Sequence, residues 1–133
     1  MQQSAHLFHN LALEVSKNWS DCGNALESFP SIATLLLERF NYDLDEAHFN
    51  RLVSEWMAHT PTLPEQMNLQ NTFGEPPITL FNDGKFVVEI YIWRGCDTSI
   101  HSHGFLGAFR VLHGKSLHES FKPRVTQVIA SDA

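Results

Sequence analysis

Near the middle of the chain, the spacing of apolar residues changes from one typical of helices to one typical of strands. Two proline-rich segments, 60–64 and 73–77, mark the change. Proline has no backbone N–H and biases the residue before it toward extended conformations, so neither pattern continues through these segments. The sequence therefore predicts an α+β fold, with a helical region at 1–72 and a β region at 73–133 packed as one globular unit.

Three amphipathic helices are predicted in the first region, because apolar residues recur there at intervals of three and four. They cover residues 7–19, 30–40 and 43–59. Pro30 suits the first turn of the second helix, and Asp43 is the predicted N-cap of the third, since Glu46 follows it at the spacing of a capping box. We expect the apolar stripes of these helices to pack on the outside of the sheet.

The second region is predicted to form short antiparallel strands. Ile78–Phe81 and Phe86–Trp93 are rich in branched and aromatic residues, and the turn signal Asn82-Asp83-Gly84 lies between them. This arrangement is typical of a β-hairpin. Further short strands are predicted at 98–103, 108–113, 117–121 and 126–130, with glycine and proline residues between them.

Charge and hydropathy exclude some classes of partner. Nine Lys and Arg against fifteen Asp and Glu give a net charge of -6, which repels nucleic-acid phosphates. No window approaches the roughly 20 consecutive apolar residues of a membrane span, and the first residues lack a charged segment leading into an apolar one. The two cysteines, Cys22 and Cys96, form no CxxC pair and are expected to be free thiols. We expect a cytoplasmic protein that binds neither nucleic acid nor membrane.

His101 and His103 form the pattern in the chain that is most typical of metal chemistry. Residues i and i+2 of a strand share a face, so the two imidazoles can point at one divalent transition metal. Open positions on such a metal accept water, dioxygen or a substrate atom. Iron(II) would favour oxygen insertion, whereas zinc or nickel would favour Lewis-acid chemistry.

The surroundings of this pair resemble the first motif of the cupins. Gly95, His101, His103 and Gly114 keep its spacings, while Gly107 occupies the place of its usual glutamate. In this the chain resembles the thiol dioxygenases, the cysteine dioxygenase group, whose bacterial members commonly carry glycine there. The similarity covers about 82–121, and the other residues that carry it are Gly84-Lys85-Phe86, Trp93, Ser99-Ile100, Val111-Leu112 and Glu119.

The resemblance implies a cupin-type antiparallel double-stranded β-helix, or jelly-roll, although the predicted strands are too few to complete it. It also implies that His101 and His103 bind non-haem Fe(II), with zinc or nickel as alternatives, in a dioxygenase acting on a small thiol or related polar metabolite. The family's third histidine belongs to a second motif that would fall beyond Ala133. The substitutes within the chain are His6, His9, His48, His59, His113, His118 and Glu89.

Four residues are candidates to line a pocket beside this metal. Glu89 alternates with Tyr91 and Trp93, and the resemblance places Trp93 on the pocket side of the barrel. Because an unpaired buried carboxylate is costly, Glu89 either belongs to the site or shows that this face is outward. The family's substrate-binding arginine has no counterpart just before Asn82, and Arg94 and Arg110 are the candidates to supply a cation in its place. Of these, Arg110 is the pocket candidate.

The competing hypothesis is a truncated or degenerate cupin that serves as a non-catalytic small-molecule-binding or dimerisation module. Its main support is the missing second motif. Too few strands leave sheet edges exposed, and edges must be covered by helices or by another chain. We therefore expect a small-molecule ligand and a homodimer under either hypothesis.

Overall fold

The computed structural model describes residues 6–40, 45–67, 69, 75, 77–93, 104–115, 117, 119–122 and 124. These residues form three α-helices, a short 3-10 turn at Leu26–Ser28 and a two-stranded antiparallel sheet. The helices are α1 (Leu7–Asp21), α2 (Phe29–Arg39) and α3 (Glu46–His59), and the strands are β1 (Ile78–Asn82) and β2 (Val87–Ile90). The predicted α+β class is confirmed. In the described part of the chain, no helix has both the length and the apolar character needed to cross a membrane.

α1 ends at Asp21, two residues beyond the predicted end at residue 19. Gly23 has a φ of +70°, a conformation that suits glycine, and its N–H donates to the carbonyl of Ser20 at 2.9 Å. The N–H of Asn24 donates to the carbonyl of Trp19 at 2.9 Å. The Trp19 indole Nε1 then donates to the Ala25 carbonyl at 2.8 Å, which fixes the connection toward α2.

The start of α3 corrects the sequence prediction. The N-cap is Asp45, whose extended backbone precedes Glu46 and whose Oδ1 accepts the N–H of His48 at 2.8 Å. Asp43, the predicted cap, lies outside the described residues. The prediction was wrong because it relied on a capping-box glutamate, whereas an aspartate needs only the N–H two or three positions into the helix.

The hairpin confirms the two predicted strands, although β2 ends at Ile90, before the predicted end at Trp93. Ile78 pairs with Ile90 and Thr79 with Glu89, but the register then shifts so that Phe81 pairs with Val88. This β-bulge leaves Leu80 as the extra residue. Leu80 is buried in the core, and the half-buried Phe81 contacts the rings of His9 and Phe86, so the bulge lets two successive apolar residues pack.

The turn between the strands is held by its own side chains. Asn82 Oδ1 accepts the N–H of Gly84 at 2.9 Å, and Asp83 Oδ1 accepts the N–H groups of Lys85 and Phe86 at 2.9 and 3.1 Å. Gly84 has a φ of +80°, so this position favours glycine.

One hydrophobic core joins the helices to the hairpin. It contains buried residues from the three helical segments and from both strands: Phe8, Phe40, Leu52, Trp56, Leu80 and Ile90. Beside it, a group of aromatic rings packs α1 and α2 against the turn end of the hairpin: Trp19, Phe29, Phe81 and Phe86. The expectation that the helices pack on one face of the sheet is confirmed.

The chain after the hairpin departs from the prediction. Residues 108–113 are all described and form no strand, so the strand predicted there is wrong. The described residues of 117–121 also lie outside any strand. Their branched and aromatic residues give only a local preference, and a strand needs a neighbour to accept its hydrogen bonds. The strands predicted at 98–103 and 126–130 fall outside the described residues.

Candidate functional site on the outer face of the hairpin

The two faces of β2 and the residues that follow it differ in chemistry. Val88, Ile90 and Ile92 pack into the core with the helices. Glu89 and Tyr91 are half-buried and Trp93 is 54% exposed. Because side chains alternate along extended chain, these three share the face turned away from the helices. The sequence left open whether Glu89 belongs to a site or to an outward face, and the structure places it opposite the helical core.

Glu89 is held by hydroxyl donors on both carboxylate oxygens. The Tyr91 hydroxyl donates to Oε2 at 2.9 Å, and the Thr79 hydroxyl lies 3.4 Å from Oε1. The Tyr91 ring stacks on the Trp93 ring, with centroids 5.4 Å apart and planes 17° from parallel. The structure therefore brings three of the four predicted pocket residues into one connected group of a carboxylate and two aromatic rings.

Thr79 and Gln66 belong to the same group, and neither was predicted from the sequence. Thr79 is fully buried on β1, directly across the hairpin from Glu89. The Gln66 side-chain amide accepts the Thr79 N–H at 3.0 Å and donates to the Thr79 carbonyl at 2.9 Å. Counting outward from the Asn82-Asp83-Gly84 turn could have placed Thr79 opposite Glu89. Nothing in the sequence indicated Gln66, because that contact depends on tertiary structure.

Arg110 lies at the end of α2. Its Nη1 donates to the carbonyls of Leu37 and Glu38 at 2.6 and 3.0 Å. These are among the last carbonyls of α2, and the Leu37 carbonyl also accepts the Phe40 N–H at 3.2 Å. A cation at this end of the helix complements the helix dipole. The contact gives Arg110 a structural role, and its assignment to the pocket stays a prediction.

The predicted metal ligands His101 and His103 lie outside the described residues, as does His118. Of the alternative ligands that the structure describes, His48 Nδ1 lies 2.8 Å from Asp45 Oδ1, and His59 Nδ1 lies 2.8 Å from the Glu55 carbonyl. Within the described part of the chain, no group of three or more His, Cys, Asp or Glu side chains is arranged to hold a metal ion.

No protein-family model matches the chain, and no curated protein or solved structure matches it. The similarity to the cupins therefore rests on the residues between Gly84 and Glu119 and on the spacings from Gly95 to Gly114. The geometry adds an oriented carboxylate beside two stacked rings. Such a surface suits a small polar ligand, because the carboxylate accepts hydrogen bonds while the rings supply apolar contact.

Proposed function

We propose that the chain is a cupin-like metal-binding protein in which His101 and His103 hold a divalent metal, with Fe(II) as the first choice. In this role it is a dioxygenase acting on a small thiol or a related polar metabolite. The observation that carries the proposal is the His-x-His pair at cupin-motif spacing between Gly95 and Gly114. The bound metal would supply open positions for dioxygen and substrate.

The hairpin supports the second part of the proposal, the small polar ligand. A ligand site needs polar groups in fixed positions and apolar walls. Glu89 is fixed by hydroxyls from Tyr91 and Thr79, and Trp93 extends the apolar surface. Helices cover the opposite face of the hairpin, so a ligand would approach from the Glu89 side.

Metal analysis of the purified protein tests the metal site. We expect roughly one metal per chain in the wild type and a large loss in His101→Ala and His103→Ala, since each removes one imidazole ligand. Lys17→Ala is the control, because Lys17 is exposed on α1 and is not among the candidate ligands. Equal, near-zero metal in the wild type and both pair variants would contradict the proposal.

Oxygen uptake tests the activity separately from metal binding. Iron-loaded protein should consume dioxygen when small thiols are added, and iron-loaded Lys17→Ala should behave as the wild type. His101→Ala and His103→Ala should lose uptake together with iron. Stoichiometric iron without uptake on any small thiol would contradict a thiol dioxygenase and leave a different substrate or metal-dependent ligand binding.

A second candidate is a non-catalytic module that binds a small molecule or forms a homodimer. The observation that favours it is the irregular segment 104–115, where a cupin would continue its barrel. Leu106 and Val111 in this segment are exposed, and Leu117 beyond it is 89% exposed. Burying such side chains against a second copy would remove apolar surface from water. A native mass of twice the chain mass, without metal or oxygen uptake, would favour this candidate.

A further inference from the structure

Thr79 is held through both its backbone and its side chain. Its N–H donates to the Gln66 side-chain oxygen at 3.0 Å, and its carbonyl accepts from the Gln66 amide nitrogen at 2.9 Å. The backbone N–H of Met67 donates to Thr79 Oγ1 at 3.0 Å. Thr79 is fully buried, and a β-branched side chain is stiff at χ1. The position of Oγ1 is therefore fixed by contacts from Gln66 and Met67.

The Met67 N–H also determines how the Thr79 hydroxyl can bond. A hydroxyl has one hydrogen to donate and two lone pairs that accept. Because Met67 donates to this oxygen, the hydroxyl keeps its hydrogen for an acceptor, and Glu89 Oε1 lies 3.4 Å away, directly across the hairpin. This contact is long for two oxygens, but hydrogen bonds in unliganded sites are often long and shorten when a ligand binds.

The second oxygen of Glu89 bonds to a hydroxyl on the partly exposed face. The Tyr91 hydroxyl donates to Oε2 at 2.9 Å, and the half-buried Tyr91 ring stacks on the exposed Trp93 ring. The carboxylate thus connects a buried hydroxyl to one beside the two rings. A carboxylate can accept several hydrogen bonds at once, so a donor on a ligand can join these two.

We propose that Glu89 accepts a hydrogen bond from an O–H or N–H group of the ligand, and that Thr79 is the residue that positions Glu89 for it. This inference rests on the proposed function, because its ligand is the small polar metabolite of that site. Gln66 and Met67 hold the Thr79 hydroxyl, and the hydroxyl holds the carboxylate. Fixing a binding group beforehand reduces the entropy that is lost when the ligand binds. The ligand class is thereby narrowed to small thiols that carry a hydrogen-bond donor.

Two thiols that differ by one hydroxyl test the inference. 2-Mercaptoethanol carries a donor that ethanethiol lacks, so the wild type should bind it about fivefold more tightly, as expected from one hydrogen bond. Anaerobic titration followed by NMR measures both dissociation constants without turnover. Thr79→Val keeps the shape of the side chain but not the hydroxyl, and it should lower this preference to about twofold. Thr79→Ser keeps the hydroxyl and should retain the preference.

A double variant separates positioning from a structural role of Thr79. Glu89→Gln replaces the carboxylate with an amide and should remove the preference for 2-mercaptoethanol. Thr79→Val should then have little further effect, because Thr79 acts through Glu89. Thr34→Val on α2 is the matched control, since the Thr34 hydroxyl bonds to the Pro30 carbonyl of its own helix. It should keep the wild-type preference.

Several results would overturn the inference. A wild type that binds the two thiols equally, or binds neither, would do so. So would a Thr79→Val variant that keeps the wild-type preference, that has an equal effect with and without Glu89→Gln, or that fails to fold, because Thr79 would then serve the fold alone. Iron content and oxygen uptake report on the proposed function separately. Iron and uptake without a preference for 2-mercaptoethanol would therefore overturn the inference and leave the proposed function standing.

Discussion

The stability that Asp45 gives to the start of α3 depends on pH. Its Oδ1 accepts the His48 N–H at 2.8 Å and lies 2.8 Å from His48 Nδ1. The hydrogen bond from the His48 backbone N–H is the main reason why the pKa of the Asp45 carboxyl lies below its ordinary value of 3.8. A pKa lowered by folding contributes stability that is fully present above the unfolded-state pKa. That contribution is lost as pH falls through the folded-state pKa.

Replacing Asp45 with a side chain that does not titrate should change how steeply the stability of the protein falls in acid. Asp45→Asn keeps a good N-cap, so α3 should still form, but its stability should fall less steeply than that of the wild type below about pH 4. Urea midpoints followed by circular dichroism from neutral pH to acid measure this slope. Asp21→Asn, at the exposed end of α1, is the control and should keep the wild-type slope. Parallel wild-type and Asp45→Asn profiles would contradict the assignment.

Arg110 connects the irregular segment 104–115 to α2 through the carbonyls of Leu37 and Glu38. Arg110→Ala removes both bonds and the cation at the helix end, so we expect the free energy of unfolding to fall by about 1 kcal/mol. Arg110→Lys keeps the charge and should recover part of this loss. Urea denaturation measures the free energy of unfolding of the wild type, Arg110→Ala and Arg110→Lys. Lys115→Ala is the exposed control. An Arg110→Ala variant as stable as the wild type would show that the contact contributes nothing.

Some residues of the candidate site could be predicted from the sequence. Alternation along Phe86–Trp93 placed Glu89, Tyr91 and Trp93 on one face, because that pattern is local. The same pattern could not decide which face the helices cover, since this depends on where α1 and α3 pack. It could not supply Gln66 either, whose bonds to Thr79 join segments brought together only by folding.

Among the elements, those with local signals were predicted and those that depend on distant partners were not. The bounds of α1 and α2 were predicted closely from apolar spacing, with Pro30 marking the start of α2. The hairpin was predicted from its Asn82-Asp83-Gly84 turn. The strand predicted at 108–113 had suitable composition, but Arg110 bonds to α2 instead. The bulge at Leu80 was also unpredicted, because the register is set by packing of both Leu80 and Phe81 beside the helices.

Gly84 tests whether the turn sets the stability of the hairpin. Its φ of +80° is unfavourable for residues with a Cβ, and a Cβ built there meets nothing within 4 Å. Gly84→Ala should therefore destabilise the protein by about 1–2 kcal/mol through backbone strain alone. Gly104→Ala is the matched control, because it also has open space but no positive φ. Thermal or urea denaturation compares them, and equal stability of the two variants would contradict the strain argument.

For the whole molecule, the main consequence of the structure is that the predicted regions 1–72 and 73–133 contribute to one core. Phe8 and Trp56 come from the helical region, and Leu80 and Ile90 come from the hairpin. A core that draws on both regions couples their unfolding, since neither part buries its apolar face alone. The chain should therefore unfold in a single transition.

Leu80→Ala tests this coupling, because Leu80 is 5% exposed and lies between the strands and the helices. The variant leaves a cavity and should lose about 2–5 kcal/mol of unfolding free energy. The helical signal in circular dichroism and the amide exchange of β2 should report the same loss. Leu117→Ala, at a side chain that is 89% exposed, should change stability by less than about 0.5 kcal/mol. Loss of protection in β2 with an unchanged helical transition would show that the hairpin and the helices unfold independently.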